Sequence, residues 1–327
     1  MLVSASFDGT LKIWDAKKHQ EIHTLRGHKG EIYSVAVSSD TKRIISGGQD
    51  MIMRLWCFHT GELLSCFEGH SDPINSLTLT SEKFQAVSGS SDDSFRVWNL
   101  DTSAHLKQDR SRGHSESVIA IAVTHDGSRC VTASFDGFFK VWMCENKKEC
   151  FTLKDPKGYP ENVAISADDR HVVSLSSDSL SCSIKVWDLL DGNQISGIEL
   201  DNKAGLVRFS TDGRLVIIGC EDERVVIWDW QNYDKKRVVT LPSSFTTFAE
   251  IACEGNIIYT CSRNMKVCQI DLGSLEVSAV RQGPYPNCTP VVVLPDGKTV
   301  LFLSLAYSGL AKWTLSFNSV FVYEAGT

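Results

Sequence analysis

The sequence predicts an all-β protein made of repeated four-stranded sheets. Tryptophans recur along it at intervals of 42, 42, 44, 45 and 41 residues: Trp14, Trp56, Trp98, Trp142, Trp187 and Trp228. The series continues after 42 and 43 residues at Ile270 and Trp313. A repeat of this length is typical of a propeller blade, a four-stranded sheet that stacks against its neighbours around an axis.

The unit from Gly113 to Trp142 shows the strand pattern inside one repeat. Val118–Val123, Cys130–Ala133 and Phe138–Trp142 are rich in apolar, β-branched and aromatic residues, which favour strands. The short segments between them carry Asp-Gly dipeptides, which tolerate the backbone of a tight turn. The sequence therefore predicts three strands and two reversals before each tryptophan.

The other units match this pattern to different degrees. Leu2–Ser6 and Thr10–Asp15 match a second and a third strand without a first, and residues 20–26 are predicted to be an outer strand. The units ending at Trp56, Trp98 and Trp142 are the most regular. Their predicted outer strands are Leu63–Phe67, His105–Gln108 and Cys150–Leu153.

After Leu153 the apolar strands persist, but most polar positions of the repeat change. Three extra residues between Asp178 and Trp187 predict a protruding turn. Because buried polar contacts stabilise a sheet, we expect the later units to open more readily than the regular ones.

Dipeptides at the ends of the units resemble those of the WD-repeat family. Gly27-His28, Gly69-His70 and Gly113-His114 begin units, and Trp14-Asp15, Trp187-Asp188 and Trp228-Asp229 end them. The resemblance covers essentially the whole chain. It implies a β-propeller with seven complete units and a partial N-terminal unit. We predict one domain over residues 1–327, with a partial unit at 1–15, regular repeats at 16–153 and degenerate repeats at 154–327.

Three interpretations account for the partial unit. A seven-bladed ring could use residues 20–26 as the outer strand of its last blade, leaving residues 1–15 as surplus. An eight-bladed ring could lack one inner strand, at the cost of unpaired backbone groups. We favour a third interpretation, in which the chain is a piece of a longer protein, because residues 1–15 match the repeat closely.

Composition and motifs predict a protein without catalytic chemistry. The chain is 42% hydrophobic and 22% charged, with a net charge of −7, and it contains no Gly-rich phosphate loop. We expect no enzyme activity, cofactor, metal, nucleic acid, membrane or small-molecule substrate. The eleven cysteines form no C-x-x-C pair, which is typical of reduced thiols. We predict a cytoplasmic protein, with the nucleus as the alternative.

Each regular unit carries a histidine, a hydroxyl, a carboxylate and a tryptophan at fixed spacing. The three sets are His28, Ser46, Asp50 and Trp56; His70, Ser88, Asp92 and Trp98; and His114, Thr132, Asp136 and Trp142. A catalytic nucleophile is exposed and unique, whereas this set occurs three times among buried strands. The resemblance implies a structural hydrogen-bond chain from indole to hydroxyl to imidazole to carboxylate.

The resemblance also implies which positions form a partner-binding face. The residues before the turn aspartates are Phe7, Gln49, Ser91, Phe135, Ser177 and Glu221. The residues three and five beyond the unit histidine, or in phase with it, are Glu31, Tyr33, Pro73, Asn75, Ser117, Ile119, Tyr159 and Glu161. Exposed aromatic residues favour interfaces, so we expect protein or peptide partners.

Two functional classes fit this fold. The first is a scaffold or regulatory module, and the decaying repeats resemble the C-terminal arrays of NACHT and WD-repeat proteins. The second is a substrate receptor of a cullin-type ubiquitin ligase, which often carries Trp-Asp-x-Arg. The corresponding runs lack the arginine: Trp14-Asp15-Ala16-Lys17, Trp187-Asp188-Leu189-Leu190 and Trp228-Asp229-Trp230-Gln231.

Overall fold

The computed structural model describes most of the chain. The described residues are 2–15, 20–38, 40, 42–80, 84–100, 111–155, 158–222, 224–232, 236–241, 248–254, 257–262, 266–274, 276–282, 288–293, 299–306 and 316–324. All regular elements within these ranges are β-strands. The described part of the chain holds no helix long and apolar enough to cross a bilayer. The chain forms two compact units, one mainly of residues up to Val163 and one mainly of residues from Ala164 onward.

The first unit contains four sheets whose strand order follows the chain. Sheet 1 comprises β1 (Leu2–Ala5), β2 (Thr10–Asp15) and β3 (Gln20–Arg26). Sheet 2 comprises β4 (Ile32–Val37), β5 (Arg43–Gly48), β6 (Met53–Cys57) and β7 (Leu63–Phe67). Sheet 3 comprises β8 (Ile74–Leu79), β9 (Gln85–Ser90), β10 (Ser94–Asn99) and β11 (Ser111–Arg112). Sheet 4 comprises β12 (Val118–Val123), β13 (Arg129–Ser134), β14 (Phe138–Met143) and β15 (Glu149–Lys154).

The second unit contains the remaining sheets, with the same order along the chain. Sheet 5, whose first strand begins in the first unit, comprises β16 (Tyr159–Ile165), β17 (His171–Ser177), β18 (Cys182–Asp188) and β19 (Gln194–Leu200). Sheet 6 comprises β20 (Ala204–Phe209), β21 (Leu215–Cys220), β22 (Arg224–Asp229) and β23 (Lys236–Thr240). Sheet 7 comprises β24 (Phe248–Glu254), β25 (Ile257–Ser262), β26 (Lys266–Asp271) and β27 (Val277–Gln282). Sheet 8 comprises β28 (Cys288–Val293), β29 (Thr299–Ala306) and β30 (Ser316–Glu324).

The core of the first unit lies between neighbouring sheets. Side chains alternate between the two faces of a strand, so Ile44 packs with residues of sheet 1 while Ile45 packs with residues of sheet 3. The sheet tryptophan contacts the preceding sheet: Trp56 shares a cluster with Leu11 and Ile13. This arrangement explains why the strands are apolar on both faces and why the tryptophan recurs once per sheet.

The second unit is built in the same way. Trp228 packs in a cluster that joins sheets 5 and 6, together with Val173 and Ile184. Ile227 of the same strand lies in the cluster between sheets 6 and 7, where Ile270 occupies the tryptophan position. The loss of polar repeat residues therefore leaves the apolar packing in place.

The all-β fold is confirmed, and residues 20–26 form the outer strand of sheet 1. The predicted strand His105–Gln108 lies outside the described residues, and the fourth strand described in sheet 3 is Ser111–Arg112. Sheet 5 contains the predicted protruding turn, with Leu180 78% exposed. The number of blades, the ring closure and the domain boundaries stay predictions.

Candidate interaction surface

The histidine, hydroxyl, carboxylate and tryptophan of each regular unit lie within hydrogen-bonding distance. In sheet 2, Trp56 Nε1 donates to Ser46 Oγ at 2.9 Å, and Ser46 Oγ lies 2.7 Å from His28 Nε2. His28 Nδ1 lies 2.9 Å from Asp50 Oδ1. The same three distances are 2.7, 2.7 and 2.9 Å in sheet 3, and 2.8, 2.7 and 2.8 Å in sheet 4.

The hydroxyls of these sets are buried, which prevents them from meeting a substrate. Ser46, Ser88 and Thr132 are each 0% exposed, and each accepts a hydrogen bond from an indole N–H. Acyl transfer needs a nucleophile that a substrate can approach. The sets therefore act as internal hydrogen-bond chains, although they contain the residue types of a catalytic triad.

The carboxylate of each set also holds the chain segment that enters the sheet. The backbone N–H groups of Lys29, Ser71 and Ser115 donate to Asp50, Asp92 and Asp136 at 3.0, 3.0 and 3.1 Å. Each bond ties the connection before a sheet to the turn between its second and third strands. The sets thus fix the position of the segments at this end of the unit.

Burial and hydrogen bonding set the charges within the sets. Burial lowers the pKa of His28 and His114, which favours neutral imidazoles at pH 7. Burial opposes ionisation of Asp50, but hydrogen bonds from Lys29 N–H and His28 outweigh it and lower its pKa. The Arg54 guanidinium, 2.6 Å from Asp50 Oδ2, adds to this effect. A neutral imidazole can accept from the hydroxyl at Nε2 and donate to the carboxylate at Nδ1.

Acidification is expected to destabilise the first unit in two steps. Since the folded pKa of His28 and His114 lies below the ordinary value of 6.5, the unfolded chain binds more protons below that pH and stability falls. The depressed pKa of Asp50 adds a further loss below its ordinary value of 3.8. Melting curves between pH 8 and 3 measure both steps. His28→Gln should reduce the fall in melting temperature below pH 6.5, leaving the contribution of His114. An unchanged fall would contradict this assignment.

A recurring β-bulge presents three of the predicted surface residues. In sheet 2, Ile32 pairs with Gly48 and Ser34 pairs with Gly47, so Tyr33 is the extra residue. Asn75 and Ile119 occupy the same place in sheets 3 and 4. A bulge turns the extra side chain away from the regular pleat. Tyr33, Asn75 and Ile119 are therefore displayed at equivalent sites where each inner strand begins.

Hydrogen bonds join the two classes of predicted surface residue within each sheet. Gln49 N donates to Glu31 O at 2.8 Å, and Ser91 N donates to Pro73 O at 2.9 Å. Phe135 N donates to Ser117 O at 3.1 Å in sheet 4. Turn and connection consequently form one surface in each sheet, with no side chain needed to bridge them.

Further contacts join these surfaces from sheet to sheet. The Phe7 and Tyr33 rings meet edge to face, with centroids 6.1 Å apart. Asn75 Nδ2 donates to Val118 O of sheet 4 at 2.9 Å, and within sheet 3 it donates to Ser91 Oγ at 3.1 Å. We call the resulting surface the connection face, formed by residues 6–9, 27–31, 49–52, 68–73, 91–93, 113–117 and 135–137 together with the three bulge residues.

The aromatic residues on this side of the unit are partly open to solvent. Phe7, Tyr33 and Phe135 are 44%, 40% and 47% exposed, and Tyr159 at the start of β16 is 64% exposed. Gln49 and Glu161 are also exposed, while Glu31, Pro73, Asn75 and Ile119 are half-buried. Burial, together with the nearby Glu31 carboxylate that accepts its hydroxyl hydrogen bond, raises the pKa of Tyr33. Tyr33 therefore stays neutral near pH 7.

One predicted surface position differs from the sequence analysis, and three surface residues were missed. Ser177 is buried, because β17 extends through it and pairs it with Cys182, so its expected place on a surface is wrong. Sequence analysis also missed the acidic residues Asp72, Asp93 and Glu116 on the connection face. Their adjacency to the predicted surface positions in the chain could have identified them.

Comparison with known proteins agrees with the repeat pattern. The family model described as "WD domain, G-beta repeat" matches residues 1–15, 19–57, 61–99, 107–143 and 205–229. The WD repeat-containing protein pop1 of Schizosaccharomyces pombe is 44% identical over 45 residues, 14% of this chain and 6% of the relative. The F-box-like/WD repeat-containing protein TBL1X of Mus musculus is 52% identical over 42 residues, 13% and 8% respectively.

A third relative gives a match of similar extent. The nuclear distribution protein PAC1-2 of Uncinocarpus reesii is 47% identical over 51 residues, which is 16% of this chain and 11% of that protein. The matched segments thus span only 6% to 11% of these relatives' length. Together with the repeated four-stranded sheets and the phased tryptophans, these matches show that the chain belongs to the WD-repeat family of β-propellers.

Proposed function

We propose that this chain is a non-enzymatic interaction scaffold that binds a protein or peptide partner on the connection face. The observation that carries the proposal is the pair of exposed rings, Phe7 and Tyr33, held edge to face across two sheets. Aromatic side chains bury a large area on binding and lose few rotamers, so they contribute strongly to interfaces.

The rigidity of the connection face supports the same function. Tyr33 is displayed by a bulge, and the segments around it are held by backbone hydrogen bonds and by the buried histidine sets. A surface whose geometry is fixed before binding pays less entropy when a partner docks. Within this unit, the same support reaches Phe135 through Ser117.

Removing two of the rings is expected to abolish binding without unfolding the chain. The double variant is Tyr33→Ala with Phe135→Ala. Both rings are partly exposed in the wild type, so their loss removes interface area and little core packing. Affinity capture from cells followed by mass spectrometry should recover the partners with the wild type alone. The melting temperature should stay within a few degrees of the wild type.

A matched control tests whether this effect is local. Phe84 and Leu64 are 41% and 51% exposed but lie away from the connection face. Phe84→Ala with Leu64→Ala should recover the same partners as the wild type. The proposal fails if both double variants behave alike, or if the Tyr33 and Phe135 variant loses no partner.

The ligase-receptor function is kept as a second candidate because of two relatives. TBL1X of Mus musculus and TBL1Y of Homo sapiens are both named F-box-like/WD repeat-containing proteins. Against it, Asp229 is engaged within the chain by Arg214 and Asn232, at 3.2 and 3.0 Å. Recovery of ligase adaptor subunits in the capture experiment favours the receptor, and recovery of NTPase-type subunits favours the scaffold.

A further inference from the structure

The connection face carries a strong excess of negative charge. The residues on it that are charged at pH 7, histidine aside, are nine carboxylates and one lysine: Asp8, Glu31, Asp50, Glu68, Asp72, Asp92, Asp93, Glu116, Asp136 and Lys29. At the opposite ends of the same sheets, positive and negative charges nearly balance within the described residues. Their connections carry Asp40, Glu62, Asp126 and Glu145 against Lys42, Lys147 and Lys148.

Structural pairing does not account for this excess. Asp50, Asp92 and Asp136 are largely buried and belong to the histidine sets, and Asp50 is also paired with Arg54. The other carboxylates are exposed or half-buried. The cations Arg26, Arg112 and Lys154 lie at the ends of the outer strands β3, β11 and β15, at the edge of this face. The guanidinium of buried Arg96 donates to Gly69 O at 2.7 Å from below the face. The area between them is therefore negative.

Carboxylates and aromatic faces attract the same kind of ligand group. A guanidinium or ammonium group is attracted both by carboxylates and by the face of an aromatic ring. On the connection face, Glu31 lies beside Tyr33, and Glu116 directly precedes Ser117, which accepts the Phe135 N–H. The Glu31 side chain thus contacts an exposed ring, and Glu116 adjoins the segment that is bonded to the backbone of another, Phe135.

We propose that the connection face recognises an arginine- or lysine-rich segment of a partner protein. This assignment rests on the proposed function, because it names the chemistry of the partner for the same surface. The basic side chains lie among Glu31, Asp72 and Glu116, and their cationic groups contact the exposed rings of Tyr33 and Phe135. An acidic segment or a nucleic acid is repelled by the same charges.

The test uses the whole chain and fluorescein-labelled dodecapeptides of defined charge. The probes are (Gly-Arg-Ser)4, (Gly-Gln-Ser)4 and (Gly-Glu-Ser)4, and binding is measured by fluorescence anisotropy. The arginine peptide should bind at least about tenfold more tightly than the glutamine peptide, and the glutamate peptide should bind most weakly. Raising NaCl from 50 to 500 mM should weaken the arginine peptide about tenfold, since salt screens exposed charges.

Two double variants with equal charge loss separate a local effect from a change in net charge. Glu31→Gln with Glu116→Gln should weaken the arginine peptide about tenfold, because it removes acids beside the rings. Glu62→Gln with Glu145→Gln removes two acids at the opposite ends of the sheets and should change binding by less than about twofold. Equal effects of the two pairs, or no preference for the arginine peptide, would overturn the assignment.

The same measurements distinguish a failure of this assignment from a failure of the proposed function. If Tyr33→Ala with Phe135→Ala loses its cellular partners while the arginine peptide shows no preference, the connection face binds partners of another chemistry. If that variant keeps its partners, the proposed function itself is wrong.

Discussion

Replacing Trp98 with phenylalanine should cost about 2 to 4 kcal/mol more in unfolding free energy than the same replacement at Trp228. Both rings are almost fully buried, at 2% and 0% exposure, so both replacements remove a similar apolar area. The two indole N–H groups differ. Trp98 Nε1 donates to Ser88 Oγ at 2.7 Å, whereas Trp228 Nε1 is buried without a hydrogen-bond partner.

The difference at Trp228 has a cause in the sequence. Ile218 occupies the place that Ser88 has in sheet 3, and it pairs across β21 and β22 near the indole. A buried donor without an acceptor costs about 1 to 3 kcal/mol, and phenylalanine removes that donor. At Trp98, phenylalanine instead breaks a hydrogen bond that supports the His70 and Asp92 pair. The change at the indole N–H therefore destabilises the fold in Trp98→Phe and stabilises it in Trp228→Phe.

Hydrogen exchange gives a measurement for each sheet separately. Amide protection in β9 and β10 should fall in Trp98→Phe, while protection in β21 and β22 should fall less in Trp228→Phe. Urea unfolding of the whole chain gives the corresponding change in stability. Equal losses in the two variants would show that the indole hydrogen bond contributes little, and that the apolar ring alone stabilises both sheets.

The spacing of the tryptophans predicted the sheets because it reflects a packing requirement. In sheets 2, 3, 4 and 6, one large side chain near the end of the third strand fills the gap to the preceding sheet, as Trp56 does against Leu11 and Ile13. This requirement persists where the polar positions change. The strands were therefore predictable through Trp228, even though Ile218 and Leu200 replace the hydroxyl and the histidine there.

The details of the candidate surface were less predictable, because they depend on strand register. Tyr33 is the extra residue of a bulge opposite Gly47 and Gly48, and no local pattern marks which residue is unpaired. Ser177 occupies the expected phase, but the longer sheet-5 hairpin pairs it with Cys182 and buries it. The charge excess required the fold as well, since it appears only when segments distant in the chain meet at one end.

A methyl group at Gly48 should destabilise sheet 2 and deform the connection face together. Gly48 ends β5 directly beneath Glu31, and an added Cβ would lie 2.0 Å from Glu31 O and 2.8 Å from Ile32 Cα. Both neighbours are backbone atoms of the bulged strand, which cannot move without disturbing the Gln49 N–H bond to Glu31. Overpacking of this kind costs about 1 to 3 kcal/mol or more.

Gly48→Ala should weaken partner binding even under conditions where the variant remains folded. Shifting the Glu31 backbone also displaces Tyr33, the ring that meets Phe7, so partner recovery should fall even at temperatures where the chain remains folded. Gly205→Ala is the matched control, because a Cβ at Gly205 meets no atom within 4 Å. Gly48→Ala could lower the melting temperature and still recover partners as well as Gly205→Ala does. That result would show that partner binding does not depend on the geometry around Glu31 and Tyr33.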